Sequence, residues 1–268
     1  MTLSTAELAA RELANAIGGW RVSLGLHPEA RFDRDGSVVW ISSAIDLAYT
    51  NGILTDGPDV APGVLERVVG ELRARGRPFV ARTRVGPDDG ASAELERLGM
   101  RDERGETLPG MALHPIAFEG ATELPDGLAI RRVTDEAGLA DHCSIVAEAF
   151  GLPLEITRAL MPAEALAHEP LYVGYVDDEP VVTALTYTGD GTVGIYNVAT
   201  REAWRRRGFG AAITRHALLD AAAAGATVAT LQSSSAGQGV YESLGFREVA
   251  RYRILVDRGG DAAGPDPG

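Results

Sequence analysis

The stretch Arg205-Arg-Arg-Gly-Phe-Gly-Ala-Ala-Ile-Thr-Arg-His-Ala-Leu-Leu219 sets three arginines and two glycines directly before a helical pattern. Residues 193–198 before it have the composition of a β-strand, so the glycines fall at a strand-to-helix turn. Backbone N–H groups at a helix start have no acceptors within the helix, and together with the helix dipole they bind anions. Glycine at 208 and 210 allows close approach to the main chain, and the arginines add bidentate donors. The stretch therefore predicts a phosphate-binding turn.

The composition narrows the classes of function. The length of 268 residues favours two domains. The formal net charge of -13 argues against a general nucleic-acid binder, which needs a basic surface. Hydrophobic residues make up 45% of the chain, enough for a folded core. Lysine is absent, which excludes a Walker phosphate loop and a Schiff-base lysine. With Cys143 as the single cysteine, an internal disulfide and a multi-cysteine zinc site are also excluded.

The sequence also indicates the compartment and the kind of partner. The opening residues 1–8 lack a basic start and an apolar run, and no apolar stretch is long enough to span a bilayer. We therefore expect a cytoplasmic protein with no membrane partner and no nucleic-acid partner. The five histidines show no metal-ligand spacing, so we expect no metal.

The C-terminal half alternates strand and helix patterns. Strands are predicted over 128–133, 171–176, 181–187, 193–198, 227–231 and 249–256. Helices are predicted after the capping residues 134–136, after Pro153, from about Gly210 to Ala224, and over 239–244. Residues 259–268 have the composition of a disordered tail, and 118–127 of a linker.

The N-terminal half is less regular but contains an echo of the C-terminal half. Helices are predicted over 6–17, 64–75 and 92–98, and strands over 37–41, 78–85 and 107–113. The segment Glu96-Arg-Leu-Gly-Met-Arg-Asp102 matches Glu242-Ser-Leu-Gly-Phe-Arg-Glu248, each near the end of a similar series of elements. We interpret the chain as two copies of one module, the first degenerate, although chance could produce so short a match.

Two common phosphate ligands are disfavoured. A dinucleotide fingerprint needs Gly or Ala at its third site, where helix and strand pack closely, and that site is Ile213. A nucleoside triphosphate held by a Walker loop is excluded because that loop requires a lysine and the chain has none.

The remaining pattern, Arg205-x-x-Gly208-x-Gly210, resembles the acetyl-CoA motif of the GNAT acetyltransferase superfamily. Its context agrees, because a strand precedes it and a helix, a strand and Gly239-Val-Tyr-Glu-Ser-Leu-Gly-Phe246 follow. A tyrosine four residues before Gly-Phe is the family's second landmark, and the resemblance covers residues 128–256. Tandem members of the family, such as mycothiol synthase, are known.

The resemblance implies an α/β (α+β) fold made of tandem GNAT-like domains. Each would have a mixed, mostly antiparallel central sheet flanked by helices, and the C-terminal copy would have a splayed, V-shaped cleft between strands 193–198 and 227–231. The predicted boundaries are 1–120 for a degenerate copy without a cofactor site, 121–258 for the catalytic copy and 259–268 for the tail.

The resemblance also assigns roles to residues. The backbone of Val198, Ala199 and Thr200 would pair with the pantetheine arm of acetyl-CoA. The cradle for the pyrophosphate would be formed by Arg205, Arg206, Arg207, Gly208, Phe209, Gly210 and Ala211. Tyr241 would be the catalytic residue beside the thioester sulfur. Since the reference pKa of tyrosine is ~10 and that of a cysteine-type thiol ~8.5, Tyr241 is expected to protonate the leaving thiolate.

The general base stays open at this point. Many family members carry a glutamate on the strand before the glycine turn, but here that strand is Thr192-Val-Gly-Ile-Tyr-Asn-Val198. The base that takes the proton of the amine would then be a water molecule linked to Tyr196 or Asn197, or a carboxylate such as Glu148 or Glu155.

The function expected is direct transfer of an acetyl group from acetyl-CoA to a primary amine of a small molecule or peptide, by a monomer or homodimer. One alternative is a non-catalytic acyl-CoA-binding sensor or interaction protein. Another is an acyltransferase with a different acyl donor or a hydroxyl acceptor. The first copy has Leu95 in place of Tyr241 and a proline-containing segment, 58–63, in place of the cradle, so one cofactor per chain is expected.

Overall fold

The computed structural model describes residues 3–27, 29–102, 105, 107–118 and 124–258. The helices are α1 Thr5–Gly25, α2 Val64–Arg73, α3 Asp89–Arg97, α4 Glu136–Phe150, α5 Leu154–Leu160, α6 Phe209–Ala223 and α7 Gln238–Ser243. The strands are β1 Arg31–Asp35, β2 Val38–Ser42, β3 Gly52–Thr55, β4 Phe79–Arg84, β5 Thr107–Leu113, β6 Ala129–Arg132, β7 Leu171–Val176, β8 Glu179–Gly189, β9 Thr192–Thr200, β10 Val228–Gln232 and β11 Arg247–Asp257. The predicted tail, 259–268, lies outside the described residues, as does part of the predicted linker.

The chain forms two compact units that cross the predicted boundaries. The larger unit combines Met1–Leu26 with Pro109–Val249, and the smaller unit combines His27–Leu108 with the chain from Ala250 onward. The N-terminal helix therefore belongs to the unit that contains the glycine turn, and the C-terminal strand belongs to the other. The division at residue 120 predicted from sequence differs from this arrangement because long-range packing, which composition does not reveal, decides where a terminal element lies.

The larger unit contains a mostly antiparallel sheet in the order β5-β10-β9-β8-β7-β6. Only β9 and β10 are parallel in this part of the sheet, and α6 forms the crossover between them. Ile195 of β9 packs in one core cluster with residues of α6. Tyr196, the next residue, packs against a second cluster that contains residues of α4. The two faces of the sheet are thus covered by different helices.

The smaller unit repeats the same pattern of strands. Its order is β1-β2-β3-β4-β11, with β3 and β4 parallel around α2 and the other pairs antiparallel. In both units a parallel pair joined by a helix is followed by an antiparallel closing strand. The closing strands are exchanged, because β5, from the first repeat, pairs with β10 while β11, from the second, pairs with β4.

The sequence echo has the same backbone geometry in both copies. Gly99 and Gly245 have positive φ angles of 97° and 90°. After each glycine a backbone N–H returns to the helix, from Met100 to the Leu95 oxygen at 3.1 Å and from Phe246 to the Tyr241 oxygen at 3.0 Å. These bonds are typical of a glycine-terminated helix end. The repeat predicted from sequence is therefore a repeat of structure.

Three predictions about the N-terminal half need correction. Helix α1 runs to Gly25 rather than to Ile17, because Gly18 and Gly19 lie against Tyr187 and Tyr196 and this packing outweighs the low helix propensity of glycine. Strand β1 was missed because its exposed, charged sequence lacks apolar alternation. Strand β3 was missed because it has only 4 residues.

Candidate functional site

A cleft opens between β9 and β10 in the larger unit. Their parallel pairing is confined to Thr192–Gly194 and Val228–Thr230. Strand β9 then continues to Thr200, held on its other side by β8. Because the remaining residues of β9 are unpaired on the β10 side, their backbone groups border the gap. The splayed cleft predicted for the C-terminal copy is present.

A β-bulge at Asn197 changes the direction of the strand at this cleft. The residues opposite Thr183 and Leu185 are Ala199 and Tyr196, so β9 contains one residue more than β8 across this interval. Asn197 has a φ of 50°, in the left-handed region. As a result Val198 packs with the α6-side cluster and Ala199 with the α4-side cluster. The bulge re-aims the backbone of Val198 beside the gap.

The glycine turn has the geometry of an anion cradle. Gly208, the N-cap of α6, has φ 78° and ψ 1°, and Arg206 has φ 66°. Only at Ala212 does the helical bonding begin, with its N–H donating to the Gly208 oxygen at 3.0 Å. No side chain caps this end of α6. The N–H groups of Phe209, Gly210 and Ala211 are therefore available to a ligand.

Packing within the protein does not explain both glycines. A Cβ atom at Gly210 would lie 3.9 Å from Thr200 Oγ1, an ordinary contact. At Gly208 the nearest atom would be Pro125 Cγ at 3.8 Å, and there the positive φ accounts for glycine. Glycine at 210 is therefore not required by packing, and it leaves open space beside the start of α6.

The three arginines differ in their surroundings, although all are exposed. Arg205 Nε donates to the Thr200 oxygen at 3.2 Å. Arg207 stacks on Trp204, with its guanidinium carbon 4.6 Å from the ring centroid. Trp204 in turn stacks on Phe209, with ring centroids 6.0 Å apart, and so supports the turn from behind. Among the described residues, Arg206 has no side-chain bond or ion pair.

Tyr241 lies on α7 and packs against the α6-side core cluster. Its ring meets that of Phe246 edge-on at 6.0 Å. Burial raises the pKa of Tyr241 to about 12. Within the described part of the chain, no hydrogen bond is recorded for its hydroxyl. Tyr241 is only partly buried, so its hydroxyl is accessible and can donate to a ligand.

The two carboxylates considered as general bases differ in their surroundings. Glu148 forms an ion pair with Arg201, and it also accepts a hydrogen bond from the N–H of Glu202 at 3.0 Å. Burial raises the pKa of Glu148, but the hydrogen bonds from Arg201 and Glu202 and the charges of Arg201 and Arg205 together outweigh that effect, so the net pKa is lowered. Glu155 is exposed on α5. Glu148 thus has a structural role.

Sequence reasoning named Tyr196 as a candidate water relay but missed its partner Asn15, and it missed the pair formed by Ser23 and Glu169. The Tyr196 hydroxyl donates to Asn15 Oδ1 at 2.6 Å, and Ser23 Oγ donates to Glu169 Oε1. Glu169 is 1% exposed, and burial raises its pKa to about 7. The signal available in the sequence was Gly18-Gly19 within a helical pattern, which marks a place where another element comes close.

The smaller unit keeps the start of the corresponding helix but not the residues around it. Gly63, the N-cap of α2, has φ 78° and ψ -7°, close to the values at Gly208. Two prolines, 58 and 62, stand in the segment before it. Leu95 replaces Tyr241 and is fully buried. One cofactor per chain remains a prediction.

The comparisons with known proteins agree with this geometry. Residues 167–248, which include the bulge, the glycine turn and Tyr241, match the sequence model of the acetyltransferase (GNAT) domain. The chain contains a GNAT domain. No curated protein matches it significantly.

Solved structures extend the likeness to nearly the whole chain. A GCN5-related N-acetyltransferase from Kribbella flavida has a TM-score of 0.74 at 23% identity, over 94% of this chain and 96% of that one. A tandem GNAT protein from the clavulanic acid biosynthesis pathway has a TM-score of 0.63 at 12% identity, over 96% of each chain. A GCN5-related N-acetyltransferase from Sphaerobacter thermophilus has a TM-score of 0.61 at 18% identity, over 97% of this chain and 96% of that one. At these identities the likeness shows a fold of tandem GNAT-like domains.

Two further classes of site are absent from the described residues. No group of three or more His, Cys, Asp or Glu residues there could hold a metal ion. No helix there has the length and apolarity needed to cross a membrane.

Proposed function

We propose that this chain is an acetyl-CoA-dependent N-acetyltransferase that acts on a primary amine of a small molecule or peptide. The observation that carries the proposal is the uncapped start of α6 at Gly208–Ala211, placed beside the gap between β9 and β10. The N–H groups there bind the pyrophosphate, helped by the helix dipole. Arg206, exposed and without a side-chain partner among the described residues, adds a charge-assisted bond.

The unpaired edge of β9 receives the extended arm of the donor. Val198, Ala199 and Thr200 offer main-chain donors and acceptors on the side that faces the gap. Acetyl-CoA, when bound, supplies the activated acetyl group. The N–H of Val198, re-aimed by the bulge, polarises the carbonyl to be attacked. Holding both reactants in one cleft supplies proximity.

Tyr241 stabilises the leaving thiolate as a hydrogen-bond donor. Full proton transfer from Tyr241 to the thiolate, expected from sequence, is unfavourable even at the reference pKa of ~10, because a thiol of pKa ~8.5 is the stronger acid. Raising the pKa of Tyr241 to about 12 makes the transfer less favourable still. The raised pKa keeps the hydroxyl protonated at neutral pH. The thiolate accepts a hydrogen bond from it. The proton that the attacking amine loses passes to water, and water returns a proton to the thiolate.

Calorimetric titration of CoA tests the cradle. Gly210→Val adds a branched side chain at the start of α6, where a Cβ meets no atom nearer than Thr200 Oγ1 at 3.9 Å. If the start of α6 holds the pyrophosphate, this side chain hinders its close approach, and we expect CoA affinity to fall by about 100-fold or more. The matched control is Gly70→Val, since Gly70 lies within α2 and a Cβ there meets no atom within 4 Å. Unchanged affinity in Gly210→Val would contradict the proposed site.

Release of CoA from acetyl-CoA, measured with a panel of primary amines, tests the activity. Turnover with any amine, reduced in Gly210→Val and retained in Gly70→Val, is the expected result. Tight CoA binding with no turnover on any amine would instead support a non-catalytic acyl-CoA-binding protein. Two equivalents of CoA per chain would contradict the prediction that only the larger unit binds it.

A further inference from the structure

An open cavity of about 380 Å³ lies in the smaller unit, at the C-terminal end of α2. Its floor is formed by the β1–β2 hairpin, and its wall by the last turn of α2 and the two residues that follow it. All of its lining residues fall within His27–Leu108, and none belongs to the glycine turn or the cleft. A cavity of this volume can hold a small organic molecule.

The register of the hairpin places four lining side chains on one face. Arg31 is directly opposite Ser42, and Asp33 is directly opposite Trp40. Directly opposite residues point to the same side of a sheet, as do residues two apart on one strand. Trp40 packs in the core cluster that contains residues of α2, so this is the face that α2 covers. Since Trp40 and Ser42 are buried while Arg31 and Asp33 are exposed, the cover ends between β2 and the edge strand β1.

The larger unit fills the corresponding place with its own side chains. Counted from the parallel pair of strands, β7 has the position in its unit that β1 has in the other, and α6 corresponds to α2. Tyr172 of β7 is 2% exposed, its hydroxyl donates to Asp220 of α6 at 3.0 Å, and its ring meets that of His216 edge-on. Helix α6 has 15 residues, whereas α2 has 10. The smaller unit thus leaves open a space that the same arrangement of elements closes elsewhere.

Several polar groups at the cavity lack partners within the described part of the chain. Ser42 is 2% exposed, and its hydroxyl forms no hydrogen bond there. Arg31 and Arg75 form no ion pair, and the Asp33 carboxylate forms neither an ion pair nor a hydrogen bond. A buried hydroxyl without a partner costs free energy unless a group from outside the protein reaches it. The lining therefore offers donors and an acceptor to a ligand.

The fourth charged residue of the lining is already compensated. Glu71 accepts a hydrogen bond from Arg67 at 2.7 Å. Arg67 also donates to Asp35 at 2.6 Å, and its guanidinium carbon lies 5.3 Å from the centroid of the Trp40 ring. The charges that remain for a ligand are two guanidinium groups and one carboxylate.

We propose that this cavity binds a free α-amino acid with an apolar side chain. The carboxylate of the ligand pairs with Arg31 and Arg75 and accepts a hydrogen bond from the Ser42 hydroxyl. Its ammonium group donates to the Asp33 carboxylate. Arg31 and Asp33 are two positions apart, about 7 Å along the strand, so a molecule with both charges on one carbon can contact both. A simple carboxylate would leave Asp33 without a partner, and a simple amine would leave the arginines without one.

The apolar part of the lining selects the side chain of the amino acid. Trp40 and Leu72 are 7% and 3% exposed, and Ala74 completes this part of the wall. Contact with them removes apolar surface of the ligand from water. The inference is independent of the proposed function, because it uses no residue of the cradle or the cleft.

The test uses L-leucine and two analogues that each keep one of its charges. Isocaproate has the carboxylate alone, and isoamylamine has the ammonium group alone. Their binding to the full chain is measured by saturation-transfer NMR. We expect L-leucine to bind saturably below about 10 mM, and each analogue to bind at least about tenfold more weakly.

Variants of the two charged residues on β1 separate the two contacts. Asp33→Asn should weaken L-leucine about tenfold and leave isocaproate unchanged, since isocaproate has no ammonium group. Arg31→Gln should weaken both compounds. Both side chains are exposed, so we expect both variants to fold, which thermal unfolding checks. The control is Asp46→Asn, which removes an exposed carboxylate of the smaller unit outside the cavity and should change neither affinity.

Three results would overturn the inference. The first is the absence of saturable L-leucine binding up to about 10 mM. The second is equal affinity for L-leucine and isocaproate, which would make this a site for simple carboxylates. The third is L-leucine binding that neither Asp33→Asn nor Arg31→Gln weakens, because the amino acid would then be bound elsewhere in the chain.

Discussion

The Tyr196 hydroxyl donates a 2.6 Å hydrogen bond to Asn15, a residue 181 positions earlier in the chain. The bond joins the N-terminal helix to the strand that borders the cleft. Asn15 also donates to the main-chain oxygen of Thr192 in the same strand. Helix α1 is therefore a structural part of the larger unit, although most of that unit comes from much later in the chain.

Replacing Asn15 should destabilise the larger unit. Asn15→Ala leaves the Tyr196 hydroxyl and the Thr192 oxygen without their partner, and we expect a loss of about 2 kcal/mol in the free energy of unfolding. Urea denaturation measures it. The neighbouring Ala14 is exposed, so Ala14→Ser should change stability by less than about 0.5 kcal/mol. Equal effects of the two variants would mean that the hydrogen bonds of Asn15 contribute nothing.

Removing the Tyr241 hydroxyl should slow the reaction without weakening cofactor binding. Tyr241→Phe loses the hydrogen bond to the leaving thiolate, and we expect kcat to fall by about 100-fold while the Kd of CoA stays within about twofold. Steady-state kinetics and calorimetry measure the two quantities. Tyr175→Phe is the control, because Tyr175 lies on β7, which β8 separates from β9, and its hydroxyl donates to Asp141 of α4. An unchanged kcat in Tyr241→Phe would remove this residue from the mechanism.

Glu169 should make stability depend on pH. Burial raises its pKa from 4.5 to about 7 in the folded chain, so the folded state binds more protons than the unfolded state between these values. The contribution of Glu169 is therefore most favourable below pH 4.5 and is lost as the pH rises toward 7. We therefore compare the unfolding free energies of wild type and Glu169→Gln from pH 4.5 to 7.5. As the pH rises over this range, the wild type should lose about 1–3 kcal/mol of stability relative to the variant. A pH-independent difference would show that the pKa of Glu169 is not raised.

Cutting the chain at residue 120 should leave two fragments that need each other. Fragment 121–258 lacks α1 and β5, which pack on and pair with the larger unit, and fragment 1–120 lacks β11. We expect neither to unfold cooperatively when expressed alone, and co-expression to restore a stable complex. Circular dichroism during thermal unfolding measures this, and the uncut chain is the reference. A separately folded 121–258 fragment would show that the exchanged elements are dispensable.

Local sequence was sufficient for the features that depend on neighbouring residues. The glycine turn could be predicted because the backbone of Gly208 and the free N–H groups after it follow from residue type and helix geometry. The echo around Gly99 and Gly245 could be predicted for the same reason, since a helix end closed by glycine is built within six residues. The order of strand, turn and helix around the cleft is likewise a local pattern.

Tertiary structure alone decided which distant segments meet. Gly18-Gly19 indicates that some element comes close to α1, but nothing in residues 5–25 identifies that element as β9 or indicates that Glu169 is buried against Ser23. The exchange of β5 and β11 depends on which edge of a sheet each strand reaches, and an isolated strand carries the same alternation at either edge. These contacts join residues more than a hundred positions apart. Their free energy comes from burial and hydrogen bonding that exist only in the assembled fold, so no local pattern reports them.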